Sequence, residues 1–225
     1  MKKTTIVLIA GGVLLAALGL IWRQLHPPLP KFNRAPSIGL GQTLADETVR
    51  AVNDRGRIVV VVATDPARPV LPGNGCWEGF RDELQKHAGI RIAATEFIPT
   101  EPTQGVIAGQ PQVWSTCPSA VFKELWGRHA DADALVFFIG LPSWNRVSGA
   151  ITERVTPKIL VVHCEQMPRQ SDYRGYFTSG ILSGLIGPAL GKLPAASPRH
   201  PQTPREWFDQ QYQVYSPQNF DTLPE

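Results

Sequence analysis

Asp65, Asn74, Cys76, Cys117, Ser143, Trp144, His163, Cys164 and Glu165 are the residues of this 225-residue chain whose types and positions could do chemistry. Each follows an apolar run that reads as a strand, or opens the helix after one. In open α/β sheets ligands sit beyond the carboxyl ends of the strands, so these residues share one edge. An acid such as Asp65, at the end of the first strand, binds a hydroxyl or caps a helix. Asn74 suits a helix N-cap, where its side-chain oxygen accepts from the backbone N–H groups of the first turn. Ser143 and Trp144 stand in G-L-P-S-W-N. They offer a hydroxyl and a ring that either stacks on a sugar or a partner's ring, or covers the sheet edge. His163 and Glu165 bracket the end of a later strand. A histidine closing an apolar strand is more often a hydrogen-bonded structural group than a base.

The three cysteines admit several uses. A thiol near a helix N-terminus has a lowered pKa and can react. Cys76 and Cys117 could instead pair as a disulfide in an oxidising compartment, or remain small semi-buried side chains without chemistry. There is no C-x-x-C, and no Cys/His pair has metal-ligand spacing, so no metal site is expected. G-x-G-x-x-G, the P-loop, G-x-S-x-G and H-E-x-x-H are all absent, so no cofactor is expected.

The elements that must position this edge alternate. A helix is expected over Thr43–Asn53, then a strand over Arg57–Thr64 whose continuous β-branched run marks a central strand covered on both faces. A helix from Asn74 to Ala88 carries Trp77, Phe80 and Leu84 on one face and stops at Gly89. Ile90–Ile98 is a second strand. Pro99–Ser115 reads as a long polar loop, a length that usually serves function or a partner. Thr116 or Cys117 opens the next helix, with Pro118 in its first turn. Ala134–Gly140, Lys158–His163 and Gly180–Ile186 are further strands, the last after a short helix near Asp172–Thr178. Tyr212, Val214 and Tyr215 alternate as in an edge strand. The fold class is therefore α/β: a three-layer, mainly parallel sheet of about five strands, Rossmann-like. The expected organisation is a membrane anchor at 1–25, a Pro-rich spacer at 26–41, the α/β domain at 42–193, and a C-terminal segment at 194–225 that packs on the domain.

Thr4–Trp22 is apolar and uncharged, and at ~1.5 Å per residue a helix of that length just crosses a ~30 Å hydrocarbon core. It ends in Leu20, Ile21 and Trp22 rather than in a small-residue cleavage pattern, so a transmembrane signal-anchor is expected in preference to a cleaved signal peptide or a buried helix. Lys2 and Lys3 keep the N-terminus cytoplasmic, which puts the domain on the extracytoplasmic, periplasmic side of the cell membrane. The formal net charge is only +3, without a Lys/Arg cluster beyond the N-terminus. That leaves nucleic acid without an electrostatic footprint.

The segments R-I-V-V-V-V-A-T-D, N-G-C-W-E-G-F-R-D-E-L-Q-K-H-A-G-I, A-D-A-L-V-F-F-I-G-L-P and K-I-L-V-V-H-C-E resemble one lobe of the type I periplasmic sugar-binding proteins over Arg57–Glu165. That resemblance implies a lobe whose strand-end residues, here Asp65, Asn74, Ser143 and Glu165, contact a ligand clamped between two lobes. The chain departs by ending after about one lobe's worth of sequence, and by carrying Cys164 where that family has an acid. The anchor, W-E-G-F-R-D-E-L, G-I-L-S-G-L-I-G-P and T-P-R-E-W-F-D-Q-Q-Y-Q-V-Y-S-P together resemble a group of membrane-anchored bacterial α/β proteins, a likeness that brings no activity with it. The expected function is a membrane-anchored binding or interaction module. It would hold the bilayer through residues 4–22 and take a small polar ligand or an envelope protein partner, through Asp65, Asn74, Ser143, Trp144, His163 and Glu165. The alternatives are a hydrolase- or thiol-type enzyme using the same edge and a structural envelope component.

Overall fold

Five β-branched residues in succession, Ile58 to Val62, place their strand between two helical layers, because side chains alternate across the pleat and neither face tolerates water. The computed structural model describes residues 33–64, 75–107, 110–151, 157–163, 168–189 and 203–223. In chain order the elements are α1 (Ala35–Ala51), β1 (Gly56–Ala63), α2 (Cys76–Leu84), β2 (Ile90–Ile98), β3 (Glu101–Ile107), β4 (Gln110–Thr116), α3 (Ser119–Arg128), β5 (Ala134–Phe137), β6 (Lys158–Val162), α4 (Gln170–Thr178), β7 (Leu182–Pro188), α5 (Pro204–Gln211) and β8 (Tyr212–Tyr215).

The main sheet has six strands in the order β2-β1-β5-β6-β7-β8. All neighbours are parallel except β8, which runs antiparallel to β7 at one edge, the role that the Tyr212/Val214/Tyr215 alternation predicts. Alternate residues of the central strands feed two separate cores. Ile58, Val60, Val62, Val136 and Leu160 pack with Leu40, Leu44, Phe80, Leu84 and Phe208 of α1, α2 and α5. Val59, Val61, Leu135, Phe137 and Val161 pack with Phe122, Leu125, Trp126, Tyr173 and Tyr176 of α3 and α4. The result is the expected three-layer α/β architecture, its five parallel strands joined at one edge by β8.

Four expectations change. The helix expected over Thr43–Asn53 starts at Ala35 and crosses the boundary expected between spacer and domain at residues 41 and 42. Pro36 sits in its first turn, where a missing N–H costs nothing, so proline opens the helix instead of extending a linker. Second, α2 has Gly75 at its N-cap, with φ 88° and no side-chain cap bond, and ends at Leu84. Third, Pro118 is the N-cap of α3 rather than part of its first turn.

The fourth change is the stretch Pro99–Ser115. Its backbone forms an antiparallel hairpin, registered from Glu101 opposite Thr116 to Ile107 opposite Gln110. In an isolated two-strand ribbon half the backbone N–H groups face outward, so Pro102 and Pro111 are tolerated where a central strand would exclude them. Thr4–Trp22, the expected anchor, lies outside the described residues; among those residues no helix is long and apolar enough to cross a membrane.

Candidate functional site

The strand order reverses between β1 and β5, the topological position beyond whose strand carboxyl ends open α/β sheets hold their ligands. Thr64 closes β1 there by donating its backbone N–H to Ile98 at 2.7 Å. Beyond β5, Phe138 N–H donates to the Val61 carbonyl at 2.9 Å, and Cys117 N–H donates to the Gly140 carbonyl at 2.9 Å. These bonds hold the β5 exit loop against β1 on one side and the start of α3 on the other.

Ser143 sits on that loop, exposed, as the N-cap residue of a short 3-10 turn over Trp144–Arg146, and its carbonyl accepts from Arg146 N–H at 3.0 Å. Trp144 does not point its ring into open space. A Cβ added at Gly175 of α4 would lie 2.3 Å from Trp144 Cδ1 and Cγ, and the ring also meets Tyr176 edge-on, with centroids 4.9 Å apart at 71°. Of the two uses expected for Trp144, the ring serves as a cover clamped onto α4.

His163 follows β6, its backbone N–H donating to Ile186 at 2.8 Å. Its Nε2 meets the Tyr173 hydroxyl of α4. Although the residue keeps some exposed surface, the packing around the imidazole desolvates it and lowers its pKa to about 4. A neutral imidazole accepts a hydrogen bond at one nitrogen, so the Tyr173 O–H donates to it, while the Leu141 backbone bonds the same phenol oxygen. Tyr176 donates to the Pro142 carbonyl at 2.9 Å. Burial raises the pKa of both phenols, so both remain protonated donors. Two tyrosines three residues apart on α4 thus staple the ends of β5 and β6. The sequence holds that signal in Y-R-G-Y, an i, i+3 aromatic pair around the one residue small enough to admit Trp144, yet neither tyrosine was among the expected site residues.

Ser143 and Trp144 follow β5 and His163 follows β6, so the three stand on neighbouring strand exits of one edge. Asp65, Asn74, Cys164 and Glu165 lie outside the described residues. Of the uses open to Cys76 and Cys117, the disulfide is not formed. Cys76 is buried in the core under α1 and α2, and Cys117 in the core under α3 and α4, so the sheet stands between them. Cys117 Sγ instead donates a weak bond to the Pro118 carbonyl at 3.6 Å. A pair that follows two strands of the same sheet shares an edge without sharing a face. Which face the thiol meets depends on how each helix docks, a matter of tertiary packing.

No protein-family model matches the chain, and no curated protein sequence matches it. Solved structures do. An arabinose-binding protein, AraP, from Geobacillus stearothermophilus superposes with a TM-score of 0.50 at 14% identity, over 84% of this chain and 63% of that one. A sugar-binding protein of a sugar ABC transporter from Bacillus halodurans gives a TM-score of 0.50 at 12% identity, over 83% of this chain and 64% of that one. The chain spans less than two thirds of either length. At these identities the likeness is one of fold: the domain has the α/β architecture of the periplasmic sugar-binding proteins of ABC transporters.

Proposed function

We propose that this chain is a binding module, carried at the membrane by residues 4–22 on the extracytoplasmic side, that presents the carboxyl edge of its sheet to a small polar ligand. The observation that carries this reading is the pair of strand exits after β5 and β6, next to the reversal of strand order between β1 and β5. An exposed Ser143 follows β5 and a neutral His163 follows β6, on loops stapled in place by Tyr176 and Tyr173. Fixed strand ends with a few polar groups are what a small hydroxyl-rich ligand requires, since each immobilised donor or acceptor lowers the ordering cost of binding. The likeness in fold to an arabinose-binding protein supports the same class of ligand. Asp65, Asn74 and Glu165 complete the proposed contact set from the neighbouring loops. An envelope protein docking on this edge is the second occupant. The thiol-enzyme reading has less support, because Cys76 and Cys117 are buried on opposite faces of the sheet.

Thermal unfolding of the full chain in detergent, against a panel of pentoses and hexoses, tests the ligand. A saturable rise in Tm that Ser143→Ala and Asp65→Asn both weaken is the expected result. No rise with any sugar, combined with one protein recovered reproducibly by crosslinking in the native membrane, would transfer the edge to a protein partner. Alkaline carbonate extraction tests the anchor separately: the full chain should stay with the membrane and a chain starting at Arg34 should not.

A further inference from the structure

Away from the sheet edge, α1 and α2 run side by side, and the last turn of α2 brings two acids and a histidine together. Asp46 comes from α1, Glu83 from the final turn of α2, and His87 from the turn after it, whose backbone N–H still donates to Leu84 at 3.0 Å. One ligand atom from each lies within 4.8 Å of the other two, and all three residues are half-buried. We propose that Asp46, Glu83 and His87 form a divalent transition-metal site, with Zn2+ as its fitting occupant, which ties α1 to the end of α2.

The chemistry of the set favours such an ion. Two carboxylate oxygens and one imidazole nitrogen suit a borderline cation and leave a position for water, whereas Mg2+ and Ca2+ prefer all-oxygen shells. Ligands held at ~2.1 Å in a tetrahedron stand about 3.4 Å apart. The three ligand atoms, within 4.8 Å of one another, would close to that spacing on taking up the ion. Both carboxylates are already oriented from outside. Asp46 Oδ2 meets the Arg205 guanidinium of α5, which also donates to Thr43 Oγ1 at 2.9 Å, and Glu83 Oε2 accepts from Lys86 Nζ at 2.8 Å. Each acid spends one oxygen on its cation and has a second for a metal, the arrangement in which outer-shell partners fix ligand geometry. The two cations also oppose the incoming charge, so the affinity should be modest. This inference is independent of the sheet-edge reading.

Isothermal titration of the full, untagged chain in detergent with ZnCl2 tests it. Saturable one-to-one binding and a higher Tm are expected, with affinity falling at least about tenfold in both His87→Ala and Asp46→Asn. Asp46→Asn keeps the shape of the side chain, and circular dichroism shows that each variant is folded. No saturable binding overturns the proposal, as does an unchanged affinity in His87→Ala or an equal response to MgCl2.

Discussion

The two helical layers grip one sheet by opposite means. The layer of α1, α2 and α5 closes on glycine: a Cβ at Gly41 would stand 1.9 Å from the Cys76 carbonyl oxygen, one at Gly79 2.3 Å from that of Ile38, and one at Gly39 2.0 Å from that of Pro204. Backbone meets backbone, and nothing can yield. The layer of α3 and α4 closes on rings, with Phe122 stacked near Trp126 and Phe137 and crossed by Tyr176, and it reaches the strand ends through phenol hydroxyls. Rings can shift, and their polar tips carry position information to the candidate site. One layer is thus a rigid clamp, and the other is a lever onto the loops that follow β5 and β6.

The largest effect on that contrast should come from filling a glycine notch. Gly41→Ala should cost about 3 kcal/mol or prevent folding, since overpacking against backbone has no side-chain escape; urea unfolding of the chain measures it. Next comes acid. His163 has a folded pKa of about 4 against an ordinary 6.5, so the unfolded state takes up its proton first as pH falls. Stability should therefore be intact above about 6.5 and fall between there and about 4, with a slope of at most about 1.4 kcal/mol per pH unit. His163→Gln should flatten that part of a urea-midpoint profile. A third measurement concerns the ring layer. Tyr176→Phe leaves the Pro142 carbonyl without its donor and should cost about 1–2 kcal/mol, and it should weaken any ligand at the edge more than Gly41-side changes of equal stability cost. The smallest effect is the control: a Cβ at Gly127 of α3 meets nothing within 4 Å, so Gly127→Ala should raise stability by about 0.5–1 kcal/mol.

Much of the main sheet was readable along the chain. The run Ile58–Val62 announces a strand buried on both faces, and A-L-V-F and K-I-L-V-V repeat the message, because apolar continuity over four or five residues survives in few other settings. The cap of α5 carries a sequence signal that no expectation used: Thr203 and Glu206 exchange bonds at 3.2 Å in the T-P-R-E order that favours a helix start. The hairpin of β3 and β4 was not readable, since its prolines carry the mark of a loop and only the pairing of the two segments reveals a ribbon. The start of α1 was hidden for a similar reason. Pro36, Gly39 and Gly41 look like a linker until the proline is seen to open a helix and the glycines to admit a neighbouring backbone.

The candidate site divides the same way. Ser143, Trp144 and His163 could be placed on one edge from strand ends alone, because chain direction in a parallel sheet puts every following loop on the same side. What Trp144 does there, clamped on Gly175 and Tyr176, follows from α4 docking across the β5 exit. The separation of Cys76 from Cys117 likewise follows from α2 and α3 lying on opposite faces.

Local order along the chain therefore decides which elements exist and which edge their loops share, since hydrophobic period and chain direction are properties of short segments. Contacts between distant segments decide the rest. Gly41 opposite Cys76, Tyr173 against His163, and Asp46 beside Glu83 and His87 meet only because three layers close around one sheet, and no local spacing encodes that closure.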